Sequence, residues 1–103
     1  MSELLHKNSL EEIQHSIDNN PRVLIEFGAE WCQPCRKFLP HLSKFAEDTN
    51  LAVIKVDVDV DPRVGSKYKI QSVPQVMLFE DGEYIRHVEA RTVVALKKDL
   101  LSE

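Results

Sequence analysis

Apolar and polar residues alternate along the chain in blocks, and each block has the spacing of one secondary-structure element. A capping box formed by Ser9 and Glu12 predicts that a helix begins at Leu10. Apolar residues then recur at helical spacing until the Asn-Asn-Pro stretch at 19–21. The pattern predicts an amphipathic helix with one side facing a core.

Two short runs, Arg22–Phe27 and Leu51–Val56, are almost continuously apolar and rich in β-branched residues. Such runs are typical of central strands that are covered on both faces. The helical pattern between them begins near Pro34, contains Pro40, which we expect to kink it, and ends near residues 49–50. This order predicts a right-handed βαβ unit with parallel strands.

The second half of the chain predicts a short helix, a hairpin and a final helix. The short helix begins at Asp61 and runs toward Tyr68. Two strand-like runs follow, Gln75–Glu80 and Glu83–Val88, and the Asp-Gly pair between them favours a tight antiparallel turn. The last helix begins at about Thr92 and has its apolar residues on one side.

These elements predict one α/β domain over residues 1–103. With 43% apolar residues, the 103-residue chain can bury a single core without a structural metal. We expect a central mixed sheet of four to five strands, flanked by helices on both faces. Leu4-Leu5 is a candidate for an additional edge strand.

The net charge of the chain and the length of its apolar runs limit the kinds of partner that it can have. The formal net charge is -4, which argues against a broad basic surface for nucleic acid or anionic lipid. The N-terminal segment lacks a signal-peptide pattern, and no apolar run approaches the roughly 20 residues of a membrane span. We expect a cytoplasmic protein with no nucleic-acid or membrane partner.

The two cysteines, Cys32 and Cys35, carry the most specific chemistry. They are too few for a secreted disulfide framework, and on the first turn of a helix they lie close enough to form a disulfide. The helix N-terminus favours the thiolate of Cys32, which we therefore expect to be the attacking thiol. Pro34 stiffens the turn, and Cys35 is the expected resolving thiol.

Two alternatives for this pair rank below redox exchange. A zinc half-site has the same Cys-x-x-Cys spacing, but the chain has no second cysteine pair and its histidines do not stand in a zinc-finger spacing. An inert structural disulfide is the other alternative. We expect neither a metal ligand nor an organic cofactor.

The segment Glu26–Arg36, with Trp-Cys-Gln-Pro-Cys at 31–35, resembles the strand-to-active-site segment of the thioredoxin family, where Trp-Cys-Gly-Pro-Cys is usual. The resemblance runs from about Leu10 to Leu101. Pro40 matches the kink proline, and Val73-Pro74 is similar to the segment that holds a cis-proline. The resemblance implies a thioredoxin-like fold and a cis bond before that proline.

The resemblance also implies an activity and its partners. The Cys32 thiolate would attack a substrate disulfide, and Cys35 would resolve the mixed disulfide and release reduced substrate. The substrates would be disulfide-containing proteins, and a dithiol reductase would donate the electrons to a monomeric protein. A partner-binding or redox-sensing module without turnover is the competing function.

Two charged residues receive catalytic roles from the resemblance. Glu26 stands where the family has a buried aspartate that relays protons for the resolving cysteine, and burial would raise its pKa. The alternative is a strand-end glutamate that reaches water. Lys55 matches the family lysine near the buried carboxylate, or it is a strand-edge lysine in water.

A docking surface for an extended substrate segment is implied around the attacking thiol. Six residues would form it: Trp31, Gln33, Pro34, Val73, Pro74 and Ala90. Trp31 has a competing explanation as a packing residue.

Four departures from the family pattern bear on specificity. Gln33 replaces the usual glycine between the cysteines, and Gln75 replaces the threonine common after the cis-proline. Gly28 stands where many bacterial members have an aromatic residue. Glu89 brings bulk and negative charge toward the docking rim. Because of Glu89 and Gln75, a partner-binding or redox-sensing module without turnover stays an alternative.

Overall fold

The computed structural model describes residues 2–101, so Met1, Ser102 and Glu103 of the predicted domain lie outside the described residues. The strands are β1 (Leu5–His6), β2 (Arg22–Gly28), β3 (Ala52–Asp57), β4 (Gln75–Glu80) and β5 (Glu83–His87). The helices are α1 (Leu10–Asp18), α2 (Gln33–Glu47), α3 (Pro62–Lys67) and α4 (Val93–Leu101). Among these helices, none has the length and apolar character needed to cross a membrane.

The five strands form one mixed sheet in the order β1-β3-β2-β4-β5. β1, β3 and β2 are parallel, whereas β4 is antiparallel to both β2 and β5. The predicted α/β class, the parallel βαβ unit and the C-terminal hairpin are therefore confirmed. The edge strand lies one residue later than predicted, at Leu5–His6.

Local signals set the ends of several elements as predicted. The Ser9 Oγ accepts a hydrogen bond from the Glu12 backbone N–H at 3.1 Å, and the Glu12 carboxylate accepts from the Ser9 N–H at 3.2 Å. At the hairpin turn, Asp81 and Gly82 both have positive φ, at 52° and 84°. Such angles match the right-handed twist of the flanking strands. Pro40 lies inside α2.

Side chains alternate along β2, so this strand contributes to an apolar core on each face of the sheet. Leu24 packs in a core with residues of α2 and α4, whereas Ile25 and Phe27 pack in a second core with residues of α1 and α3. By the same alternation, Glu26 lies on the α2 and α4 face, beneath the first turn of α2. In α4 only Leu96 and Leu100 are buried, and Leu101, predicted on the same side, is 39% exposed.

Candidate active site

The two cysteines form a disulfide at the N-terminus of α2, with a Cα–Cα separation of 5.3 Å. Cys32 is the N-cap residue, and its Sγ accepts a hydrogen bond from the Cys35 backbone N–H at 3.2 Å. Cys32 is 3% exposed and Cys35 is 6% exposed, so exposure does not distinguish the two cysteines. Their positions relative to the start of α2 do. Within residues 2–101, no group of three or more histidine, cysteine or carboxylate side chains is arranged to hold a metal ion.

The segment that precedes β4 covers one side of the disulfide. Val73 packs against a small cluster formed by Ala29, Cys32 and Cys35. The Val73–Pro74 bond is cis, as the resemblance predicts. Both residues are half-buried, so they form a wall next to the sulfur atoms.

Glu26 is a buried carboxylate, with 2% of its surface exposed. Its Oε1 has no hydrogen-bond partner among the described residues. Burial raises the pKa of Glu26 to about 7, although the positive charges of Lys55 and Arg91 act in the opposite direction. A group with this pKa exchanges protons at neutral pH.

Gly28 provides the space that the Glu26 carboxylate occupies. A Cβ at position 28 would overlap Glu26 Oε2 and would lie 3.2 Å from Cys35 Sγ. The carboxylate and the sulfur therefore both border the position that a larger residue at 28 would fill. The glycine in place of an aromatic residue has a direct local consequence, because it leaves room for the Glu26 carboxylate near Cys35.

Lys55 is half-buried on β3, directly opposite Glu26 in the parallel register. His6 is paired with Lys55 on the other side, so the three side chains form a row across neighbouring strands on one face of the sheet. A cleft of about 460 Å³ contains His6, Lys55 and Cys35 in its lining. Lys55 therefore lies next to Glu26 on the same face of the sheet, where its positive charge lowers the pKa of the carboxyl against the effect of burial.

The predicted docking residues divide into exposed and half-buried groups. Trp31 is 69% exposed, and its Nε1 donates a hydrogen bond to Asp59 Oδ2 at 2.9 Å. Gln33 and Pro34 are also exposed. Ala90 is half-buried and packs against the core on the α2 and α4 face. The exposed group surrounds the start of α2, as a docking role requires.

Three basic residues that the sequence patterns did not indicate lie next to this surface, namely Lys37, His41 and Arg91. The His41 Nδ1 accepts a hydrogen bond from the Val93 N–H at the start of α4. Lys37 and His41 follow Pro34 at helical spacing, which places them on the same side of α2. No sequence signal indicated Arg91, because tertiary packing brings it to this place.

The thioredoxin family model matches residues 4–102 of the chain. Thioredoxin from Rickettsia bellii is 44% identical over 63 residues, which cover 59% of this chain and 60% of that protein. Thioredoxin from Mycobacterium tuberculosis is 36% identical over 87 residues, which cover 82% of this chain and 75% of that protein.

The fold is similar to that of solved thioredoxins. A point-mutant thioredoxin from Halobacterium salinarum has a TM-score of 0.85 and 35% sequence identity. The match covers 97% of this chain and 90% of that one. The chain belongs to the thioredoxin family, and its Cys32–Cys35 pair is the Cys-x-x-Cys redox centre of a thiol-disulfide oxidoreductase.

Proposed function

We propose that this protein reduces protein disulfides in the cytoplasm by dithiol-disulfide exchange. The observation that carries the proposal is the Cys32–Cys35 pair at the N-terminus of α2, with the Glu26 carboxylate buried next to Cys35 Sγ. Family membership supports the same activity. An exchange reaction requires a stabilised thiolate and a nearby proton acceptor, and the helix N-terminus at Cys32 and the buried Glu26 support these two roles.

In the first step, the Cys32 thiolate attacks one sulfur of the substrate disulfide. A new bond forms between Cys32 and that sulfur, the substrate disulfide breaks, and the other substrate sulfur leaves as a thiolate. The positive end of the α2 dipole and the Cys35 N–H, which points at Cys32 Sγ, favour the charged form of Cys32.

In the second step, Cys35 gives its thiol proton to Glu26 and attacks the Cys32 sulfur of the mixed disulfide. The substrate leaves fully reduced, having gained two electrons, and the protein is left as the disulfide. Glu26 suits this role because its pKa of about 7 lets it accept a proton at neutral pH. Lys55 stabilises the charged form of the carboxylate before the transfer.

The substrate segment lies in an extended form beside Cys32. The proposed contacts are with Trp31, Gln33, Pro34, Val73, Pro74 and Ala90. Trp31 supports this role because most of its surface is exposed while Asp59 holds its ring in place. An exposed, fixed aromatic ring is a common anchor in protein interfaces.

A dithiol reductase returns the electrons after each cycle. The protein acts as a monomer in electron transport to disulfide-containing proteins and in maintaining cellular redox balance. Its formal charge of -4 fits protein partners better than nucleic acid.

Reduction of insulin by dithiothreitol tests the proposed function. The wild-type protein should accelerate the reaction, whereas Cys32→Ser should not. Cys35→Ser should accumulate a stable mixed disulfide through Cys32. A wild-type protein that does not accelerate insulin reduction would instead be a redox sensor, and faster alkylation of Cys35 than of Cys32 would reverse the two roles.

A further inference from the structure

A groove of about 390 Å³ lies beside the redox centre, between α2 and the segments that precede β4 and α4. Two prolines, one phenylalanine and three basic residues line it: Pro34, Lys37, Phe38, His41, Pro74 and Arg91. Pro34 stands between the two cysteines, and Pro74 follows the valine that packs against them. The groove therefore borders the position where a substrate disulfide reacts.

Two of the basic side chains are held in place by the fold. The Arg91 guanidinium lies 5.3 Å from the centre of the Phe38 ring, and its Nη1 donates to the carbonyl oxygens of Val88 and Ala90 at 2.7 and 3.0 Å. These contacts fix the cation without neutralising it. His41 accepts a backbone hydrogen bond at Nδ1, so its Nε2 carries the ring proton and can donate to a ligand.

Among the described residues, the positive charges in the groove have no adjacent carboxylate, although Arg91 acts at longer range on the buried Glu26. No acidic side chain lines the groove, and within the described part of the chain Lys37, His41 and Arg91 form no ion pair with a carboxylate. Other basic residues are paired, as Arg22 is with Glu80. In a chain with a net charge of -4, this is a local positive site. An anionic group in the groove would meet two cations and an N–H donor.

We propose that this groove binds an acidic, extended segment next to the reactive cysteine of the substrate, so that the protein selects acidic disulfide substrates. The inference rests on the proposed function and names its substrate class. Apolar contact with the prolines and the phenylalanine holds the segment, and its carboxylates pair with Lys37 and Arg91. Each charge contact should raise the rate constant by up to about fivefold.

Single-turnover reduction of disulfide-linked peptide dimers tests the proposal, with the fluorescence of Trp31, the single tryptophan, as the signal. The cysteine of each peptide is flanked by glutamates, glutamines or lysines. The glutamate peptide should react about tenfold faster than the glutamine peptide at low salt, and this preference should shrink at high salt. In Lys37→Gln/Arg91→Gln the preference should fall to about twofold or less.

Lys44→Gln is the control for Lys37→Gln, because it also removes one positive charge from α2, about 10 Å further along the helix, and it should keep the preference. If loss of the Arg91 hydrogen bonds unfolds the double variant, Lys37→Gln alone should lower the preference about two- to fivefold. Equal wild-type rates for the glutamate and glutamine peptides would overturn the groove proposal alone. A wild-type protein that reduces no peptide would overturn the proposed function as well.

Discussion

The two faces of β2 differ in what they bury. On the α1 and α3 face, Ile25 and Phe27 are completely buried in an apolar core. On the α2 and α4 face, Leu24 is buried equally well, but the next residue on that face is the Glu26 carboxylate. One strand therefore contributes to an apolar core on both faces, and on the α2 and α4 face it also contributes Glu26 to the redox centre.

Within the seven residues of β2, one side chain serves stability and its neighbour serves the chemistry of the redox centre. Burial of Ile25 stabilises the native state because apolar area leaves water. Burial of Glu26 destabilises its charged form, which is why its pKa rises to about 7. Burial of Glu26 therefore costs stability at neutral pH, and the raised pKa suits the proton acceptor that we propose for the redox centre.

Truncation on the apolar face should have the largest effect on stability. Ile25→Ala should lower the free energy of unfolding by about 2–5 kcal/mol, because it leaves a cavity between β2 and the helices on that face. Urea denaturation measures the loss. The rate of mixed-disulfide resolution in the folded protein should stay within about twofold of wild type, and a large loss of that rate would show that the two faces are not independent.

The neighbouring change, Glu26→Ala, should act in the opposite direction. The native wild type keeps a proton that the unfolded chain releases near pH 4.5, so its stability should fall as the pH rises from about 4.5 to about 7. The fall amounts to about 3 kcal/mol. The variant should lack this dependence and be the more stable protein above pH 7. Parallel stability curves for the two proteins would show that Glu26 has an ordinary pKa.

A test of the space beside Cys35 uses Gly28→Ala, whose Cβ would displace the Glu26 carboxylate. Resolution should slow by about 10²-fold, the lower end of the effect of losing a positioned proton acceptor. Adding Glu26→Asp, which is one methylene shorter, should restore much of the rate. Gly65→Ala is the control, because a Cβ at that position in α3 has open space around it. A double variant no faster than Gly28→Ala would mean that the glycine has another role.

The smallest expected effect belongs to Glu89, an exposed residue that precedes Arg91 by two positions. Glu89→Gly removes a negative charge from the rim of the docking surface, where it would repel an acidic peptide. The variant should therefore react with acidic peptides about twofold faster. Glu89→Gln removes the charge but keeps the size of the side chain, so comparison of the two variants shows which property matters. Unchanged rates toward both acidic and basic peptides would show that Glu89 does not face the substrate.

Sequence patterns predicted the elements well because their signals are local. The Ser9 capping box and the Asp-Gly turn depend only on neighbouring residues. The space shared by Gly28 and the Glu26 carboxylate depends on how α2 packs over the sheet. The groove around Arg91 likewise needs three separate segments in their folded positions. Neither could be derived from local spacing.

The central claim is that Glu26 takes the proton of the resolving cysteine. Stopped-flow fluorescence of Trp31 can follow formation and resolution of the mixed disulfide separately, in wild type and Glu26→Ala, from about pH 6 to about pH 9. Wild-type resolution should rise with a midpoint near 7, and the variant should resolve more slowly without that rise while formation stays unchanged. Equal resolution rates in the two proteins across this range would contradict the claim.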